Sequence, residues 1–93
     1  MANVLVCDDE KDIVSALKIY LSAEGYEVFT AANGREALDV VKNNEIHLAL
    51  IDIMMPEMDG VTAVSKIREK YNLPIIFLTA KSEDADKILG LNI

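Results

Sequence analysis

Asp8 and Asp9 close the apolar run "NVLVCDDE", and Asp52 closes a second one at the head of "LALIDIMMPEMDG", residues 48–60. A third run, "PIIFLT", closes on Thr79. Carboxylates gathered in a partly desolvated cleft repel one another unless a cation neutralises them. A hard divalent ion suits such a cluster. Magnesium takes oxygen ligands in an octahedral shell, keeps several waters, and uses one or two carboxylates together with phosphate oxygens. Asp8, Asp9 and Glu10 also have a plainer use as acids at the start of a helix, where exposed amides and the dipole favour negative charge. Asp52 does not, because Ile53, Met54 and Met55 follow it before any turn residue. Asp59, just ahead of Gly60, reads as a helix N-cap.

The elements that must carry these residues alternate along the chain. "NVLVC" is a strand, and "KDIVSALKIYLSAEG" is a helix with Ile13, Leu17, Tyr20 and Leu21 on one face and Gly25 as its stop. "YEVFTA" and "NGREALDVVKNN" repeat the unit, the helix turning Ala37, Leu38 and Val41 inward. "HLALID" and "DGVTAVSKIREKY" form a third unit with a Val61, Val64, Ile67 stripe, and "PIIFLT" with "SEDADKILG" a fourth. Strands one, three and four are nearly continuous apolar runs, the pattern of parallel strands covered on both faces, which predicts a doubly wound α/β layer structure. In such sheets functional groups collect beyond the carboxyl ends of the strands, near the point where strand order reverses. Strand one delivers Asp8 and Asp9 there, strand three Asp52 and strand four Thr79, while strand two ends only in "TAANG".

Composition narrows the partners. The chain has 93 residues, of which 52% are hydrophobic and 27% charged, enough for one compact domain with a modest core. A net charge of -7 argues against direct binding to nucleic acid or to an anionic membrane, both of which need clustered Lys and Arg. Cys7 has no second cysteine to pair with and reads as a small core residue. No apolar stretch reaches the roughly 18 residues of a membrane span, and a cytoplasmic setting is expected. His47, Met55 and Met58 read as packing or surface groups, and Pro56, Gly60 and Pro74 as turn and boundary residues.

"VLVCDDE" at 4–10, "LIDIMMPEMDG" at 50–60 and "PIIFLTAK" at 74–81 together resemble the response-regulator receiver domain of two-component signalling. The resemblance runs in order along the whole chain. An acidic pair after strand one, D-x-x-M-P-x-x-D-G after strand three and T-A after strand four form a combined signal stronger than any one of them. It implies a flavodoxin-like sheet of order 2-1-3-4. It also implies that Asp52 is the phosphoacceptor, taking a phosphoryl group from a sensor histidine kinase or a small phosphodonor. Mg2+ would be held by Asp9 directly, Asp8 through water, Asp52 and the Met54 backbone carbonyl. Thr79 would be the switch hydroxyl beside a small Ala80, and Lys81 a solvated loop charge. A phosphoryl group brings about -1.5 to -2 charges, enough to bias a bistable loop.

The resemblance also sets an expectation of incompleteness: residues 1–93 are expected to form a receiver domain without its fifth strand and fifth helix. Neither Lys81 nor Lys87 stands where the family's fifth-strand lysine would. Strand four is then expected to be an open edge and a template for self-association. Two alternatives remain at this level. One is an oligomerising receiver fragment or engineered partial fold that is never phosphorylated. The other is a Mg2+-dependent phosphohydrolase using Asp52 as nucleophile, which would lack a general acid at Met54 and a cap domain.

Overall fold

The computed structural model describes residues 2–53 and 60–78. Four strands and three helices follow one another as β1 (Asn3–Cys7), α1 (Lys11–Ala23), β2 (Glu27–Ala31), α2 (Gly34–Asn43), β3 (Leu48–Asp52), α3 (Gly60–Arg68) and β4 (Ile75–Leu78). The strands form one parallel sheet of order β2-β1-β3-β4. The expected helix in "SEDADKILG" lies outside the described residues.

β1 is central because both its faces are apolar: Val4, Leu5, Val6 and Cys7 are each 1% exposed or less. Register aligns Leu5 with Phe29 and Ala49, and Cys7 with Ala31 and Ile51. These residues build the core with Ile75 of β4, Ala37 and Val41 of α2, and Ile67 of α3. Side chains alternate across a strand, so Val4 and Val6 turn to the opposite face, where α1 runs against β1 and β2. The helices therefore cover the sheet from both sides, the doubly wound arrangement expected of parallel strands.

Helix ends follow the sequence closely. Glu24, Gly25 and Tyr26 close α1 with Gly25 N–H donating to the Ser22 carbonyl and Tyr26 N–H to the Leu21 carbonyl. That pair of bonds needs a left-handed residue between them, and Gly25 supplies it at φ 94°. At the start of α2, Asn33 Oδ1 accepts from Glu36 N–H at 2.9 Å, and Glu36 Oε1 accepts from Ala32 N–H at 2.8 Å. The two side chains fix the β2–α2 turn reciprocally.

Two of the expected apolar stripes need correction. Ile13, Leu17 and Leu21 are partly buried, but Tyr20 is 63% exposed on the flank of α1. On α3 the buried line is Ala63 and Ile67 with Val64 beside them, and Val61 is 56% exposed. Residues three apart drift by about 60° per step around a helix, so the line 61, 64, 67 leaves the buried face before it reaches Val61. Among the described residues no helix is long and apolar enough to cross a membrane.

Candidate functional site

The strand order places the reversal between β1 and β3: the chain moves from β1 to β2 on one side, then returns to add β3 on the other. Crevices form at the carboxyl ends of the two strands that flank such a point. Asp52 is the last residue of β3, and Asp8 and Asp9 follow the last residue of β1. One carboxylate oxygen from each of Asp8, Asp9 and Asp52 lies within 4.8 Å of the others. Asp52 is fully buried, Asp8 is 1% exposed, and Asp9 stands open to solvent.

Backbone bonds hold these acids in place. Asp8 N–H donates to the Ala31 carbonyl at 3.1 Å, carrying the β1–β2 ladder one residue past the strands, and Ile53 N–H donates to the Leu78 carbonyl at 3.4 Å beside β4. Asp8 Oδ1 accepts from Glu10 N–H at 2.9 Å. The Asp8 carboxylate thus closes a local turn onto the residue that leads into α1, and this coexists with a place in the cluster. Glu10 occupies the N-cap position of α1 without a side-chain cap bond.

Cys7 registers the charge gathered above it. Its Sγ donates to the Asn33 carbonyl at 3.3 Å. Burial, and then the negative charges of Asp8, Asp52, Glu36 and Asp9, push the thiol up to about 12. A cleft of about 320 Å³ opens beside the acids, lined by Asp8, Asp9, Lys11, Val14, Thr30 and Glu36 among others.

The donor set is one a hard cation accepts, being made of carboxylate oxygens alone. Two oxygens bound directly to one magnesium at about 2.0–2.1 Å lie at most about 4.2 Å apart. Carboxylate oxygens that all lie within 4.8 Å of one another are close enough for one such ion to be shared among the three acids. Met54 and Thr79, the remaining expected site residues, lie outside the described residues, as do Pro56, Asp59, Ala80, Lys81 and Lys87. Sequence reasoning missed the Asn33–Glu36 pair that fixes the turn beside Asp8, although its N-x-x-E spacing is a readable capping signal. It also passed over the bond from Cys7, for which a lone cysteine in an apolar run gives no cue.

A doubly wound parallel sheet of order 2-1-3-4 with acids at its switch point defines a flavodoxin-like α/β protein of the receiver type. The model for the response regulator receiver domain matches residues 4–93, and the chain belongs to that family. A response regulator, GtcR of Aneurinibacillus migulanus, is 41% identical over 91 residues, which are 98% of this chain and 38% of the relative. The chain therefore spans well under half the length of that curated relative. The response regulator TrrA of Thermotoga maritima, solved in complex with Mg(2+)-BeF, is 41% identical with a TM-score of 0.81, covering 92% of this chain and 76% of that one. TrrA solved in complex with the histidine kinase ThkA is 43% identical with a TM-score of 0.81, covering 88% and 72%. A two-component response regulator from Clostridium difficile is 31% identical with a TM-score of 0.83, covering 90% and 69%.

Proposed function

We propose that this chain is a phosphoacceptor module that takes a phosphoryl group onto Asp52 from a histidine kinase or a small phosphodonor, with Mg2+ held by Asp8, Asp9 and Asp52. The observation that carries the reading is the approach of the three carboxylates to within 4.8 Å at the switch point of the sheet. The TrrA complexes with Mg(2+)-BeF and with a kinase lend it support by similarity. The family resemblance adds the Met54 carbonyl as a further ligand and Thr79 as the switch hydroxyl. A cytoplasmic setting belongs to the same proposal.

In the transfer, a carboxylate oxygen of Asp52 attacks phosphorus as the P–N bond of the phosphohistidine breaks. The electron pair of that bond returns to the imidazole, which is left able to take a proton, and Asp52 becomes an acyl phosphate. When bound, the metal offsets the charge on the transferred phosphoryl oxygens. Asp52 is held for this by its place at the end of a buried strand, so its carboxylate cannot wander between rotamers as a surface acid does. Asp8 is fixed by its bond from Glu10 N–H, while the exposed Asp9 remains open to an incoming ion.

The test is intact-mass analysis after incubation with acetyl phosphate and Mg2+, with Asp52→Asn as control. One phosphoryl adduct is expected on the wild type and none on the variant. An adduct that persists in Asp52→Asn, or no adduct on the wild type, overturns the assignment. Steady turnover of varied phosphomonoesters would instead favour the hydrolase reading.

A further inference from the structure

The end of the sheet opposite the acids holds a second polar cluster. Asn3 opens β1, and His47 stands immediately before β3. Two bonds join them, Asn3 N–H donating to His47 Nδ1 at 2.9 Å and His47 N–H to the Asn3 carbonyl at 2.8 Å, and a third ties Asn3 Nδ2 to the Glu45 carbonyl at 2.7 Å. The other ring nitrogen, Nε2, lies 3.5 Å from Glu45 Oε2. We infer that His47 is a proton-operated clamp on the β1–β3 junction, closed while its imidazole is neutral and released when the ring takes a proton.

The tautomer carries the inference. A nitrogen that accepts a hydrogen bond must keep its lone pair, so Nδ1 is bare and the single ring proton sits on Nε2, facing Glu45. Protonation puts a second N–H on Nδ1, directed at the N–H of Asn3. Two donors cannot share one bond, and the ring has to turn away. Glu45, whose exposed carboxylate stands 3.5 Å from Nε2, is at hand to pair with the charged ring as it turns. The His47 side chain is 44% exposed, and a proton reaches it without unfolding.

The charged groups placed beside this junction by sequence or register are Glu45 in the α2–β3 connection, Lys42 in the last turn of α2, and Glu27 opposite Asn3 on β2. Among the described residues, Glu45 is the one in ion-pair contact with the ring. β1 and β3 are the strands whose far ends deliver Asp8, Asp9 and Asp52, so the clamp sets their pairing at the start.

Nitrogen-15 NMR of the labelled chain between pH 8 and pH 5 tests this. At high pH the ring signals should report a bare Nδ1 and a protonated Nε2. As the ring titrates, exchange of the Asn3 amide, corrected for its intrinsic rate, should accelerate about fivefold, the scale of one lost hydrogen bond. His47→Asn, whose Oδ1 can accept the same bond without titrating, should keep that protection flat. In Glu45→Gln, a variant that leaves the acceptor in place, the acceleration should follow the ring's own titration midpoint wherever that moves. The opposite tautomer, an Asn3 amide indifferent to ring protonation, or equal acceleration in His47→Asn would each overturn the clamp.

Discussion

At the scale of the residue, Cys7 shows how far a local environment reaches. Its thiol is fully buried and pushed from 9.0 up to about 12, chiefly by burial and then by Asp8, Asp52, Glu36 and Asp9. Below pH 9 both folded and unfolded chains keep the proton, and the shift has no effect on stability. Between 9 and 12 the unfolded chain gives up its proton while the folded chain holds it, so stability falls as pH rises. Each unit of pH in that window is worth up to about 1.4 kcal/mol. Urea denaturation at pH 8 and pH 10 should show the wild type losing roughly 1 kcal/mol more than Cys7→Ala over that interval. Equal losses in the two proteins would mean that the thiol is not shielded. That Cys7 is a core residue was legible from its apolar run; its bond to the Asn33 carbonyl was not, because it joins residues far apart in sequence that only the β1–β2 pairing brings together.

At the scale of the element, periodicity and turn chemistry located β1, α1, β2, α2, β3, α3 and β4 because each boundary has a local cause. Gly25 ends α1 through its backbone, Asn33 starts α2 through its side chain, and the acids end β1 and β3. Tyr20 and Val61 were misread because burial on a helix depends on how it lies against the sheet, which its own spacing does not encode. The acid cluster was legible for a different reason: fold topology alone brings the ends of β1 and β3 together. Sheet order also bears on association. β4 is an outer strand among the described residues, hydrogen-bonded to β3 on one side, and outer strands are templates for pairing with another chain. We propose self-association through β4. Sedimentation should then show an oligomer that grows with concentration and is weakened by Ile76→Lys, a charge on the half-buried face of that strand. A monomer at high concentration, or an oligomer untouched by the substitution, argues against pairing at β4.

At the scale of the whole molecule, the chain carries a net charge of -7 and packs three of its acids within 4.8 Å of one another. Folding has to bring those carboxylates together, and the unfolded chain does not, so their repulsion opposes folding, and a cation held among them would relieve it. A ligand that binds the folded chain and not the unfolded one stabilises by RT ln(1 + [L]/Kd), about 1.4 kcal/mol at ten times Kd. For a domain of this size that corresponds to a rise in Tm of about 5–10 °C. General screening would also relieve an acidic chain, so the comparison must be made against NaCl at matched ionic strength. Mg2+ should raise Tm well beyond the NaCl control. Asp52→Asn should raise Tm in the absence of Mg2+, because one member of the repelling cluster is gone, and should blunt the response to Mg2+ for the same reason. Asp9→Asn should show the second effect strongly and the first weakly, since its exposed carboxylate is already solvated in the folded chain. If NaCl and Mg2+ act alike, or if both variants respond to Mg2+ as the wild type does, the three acids repel without forming a cation site, and the stability of this domain owes nothing to a bound ion.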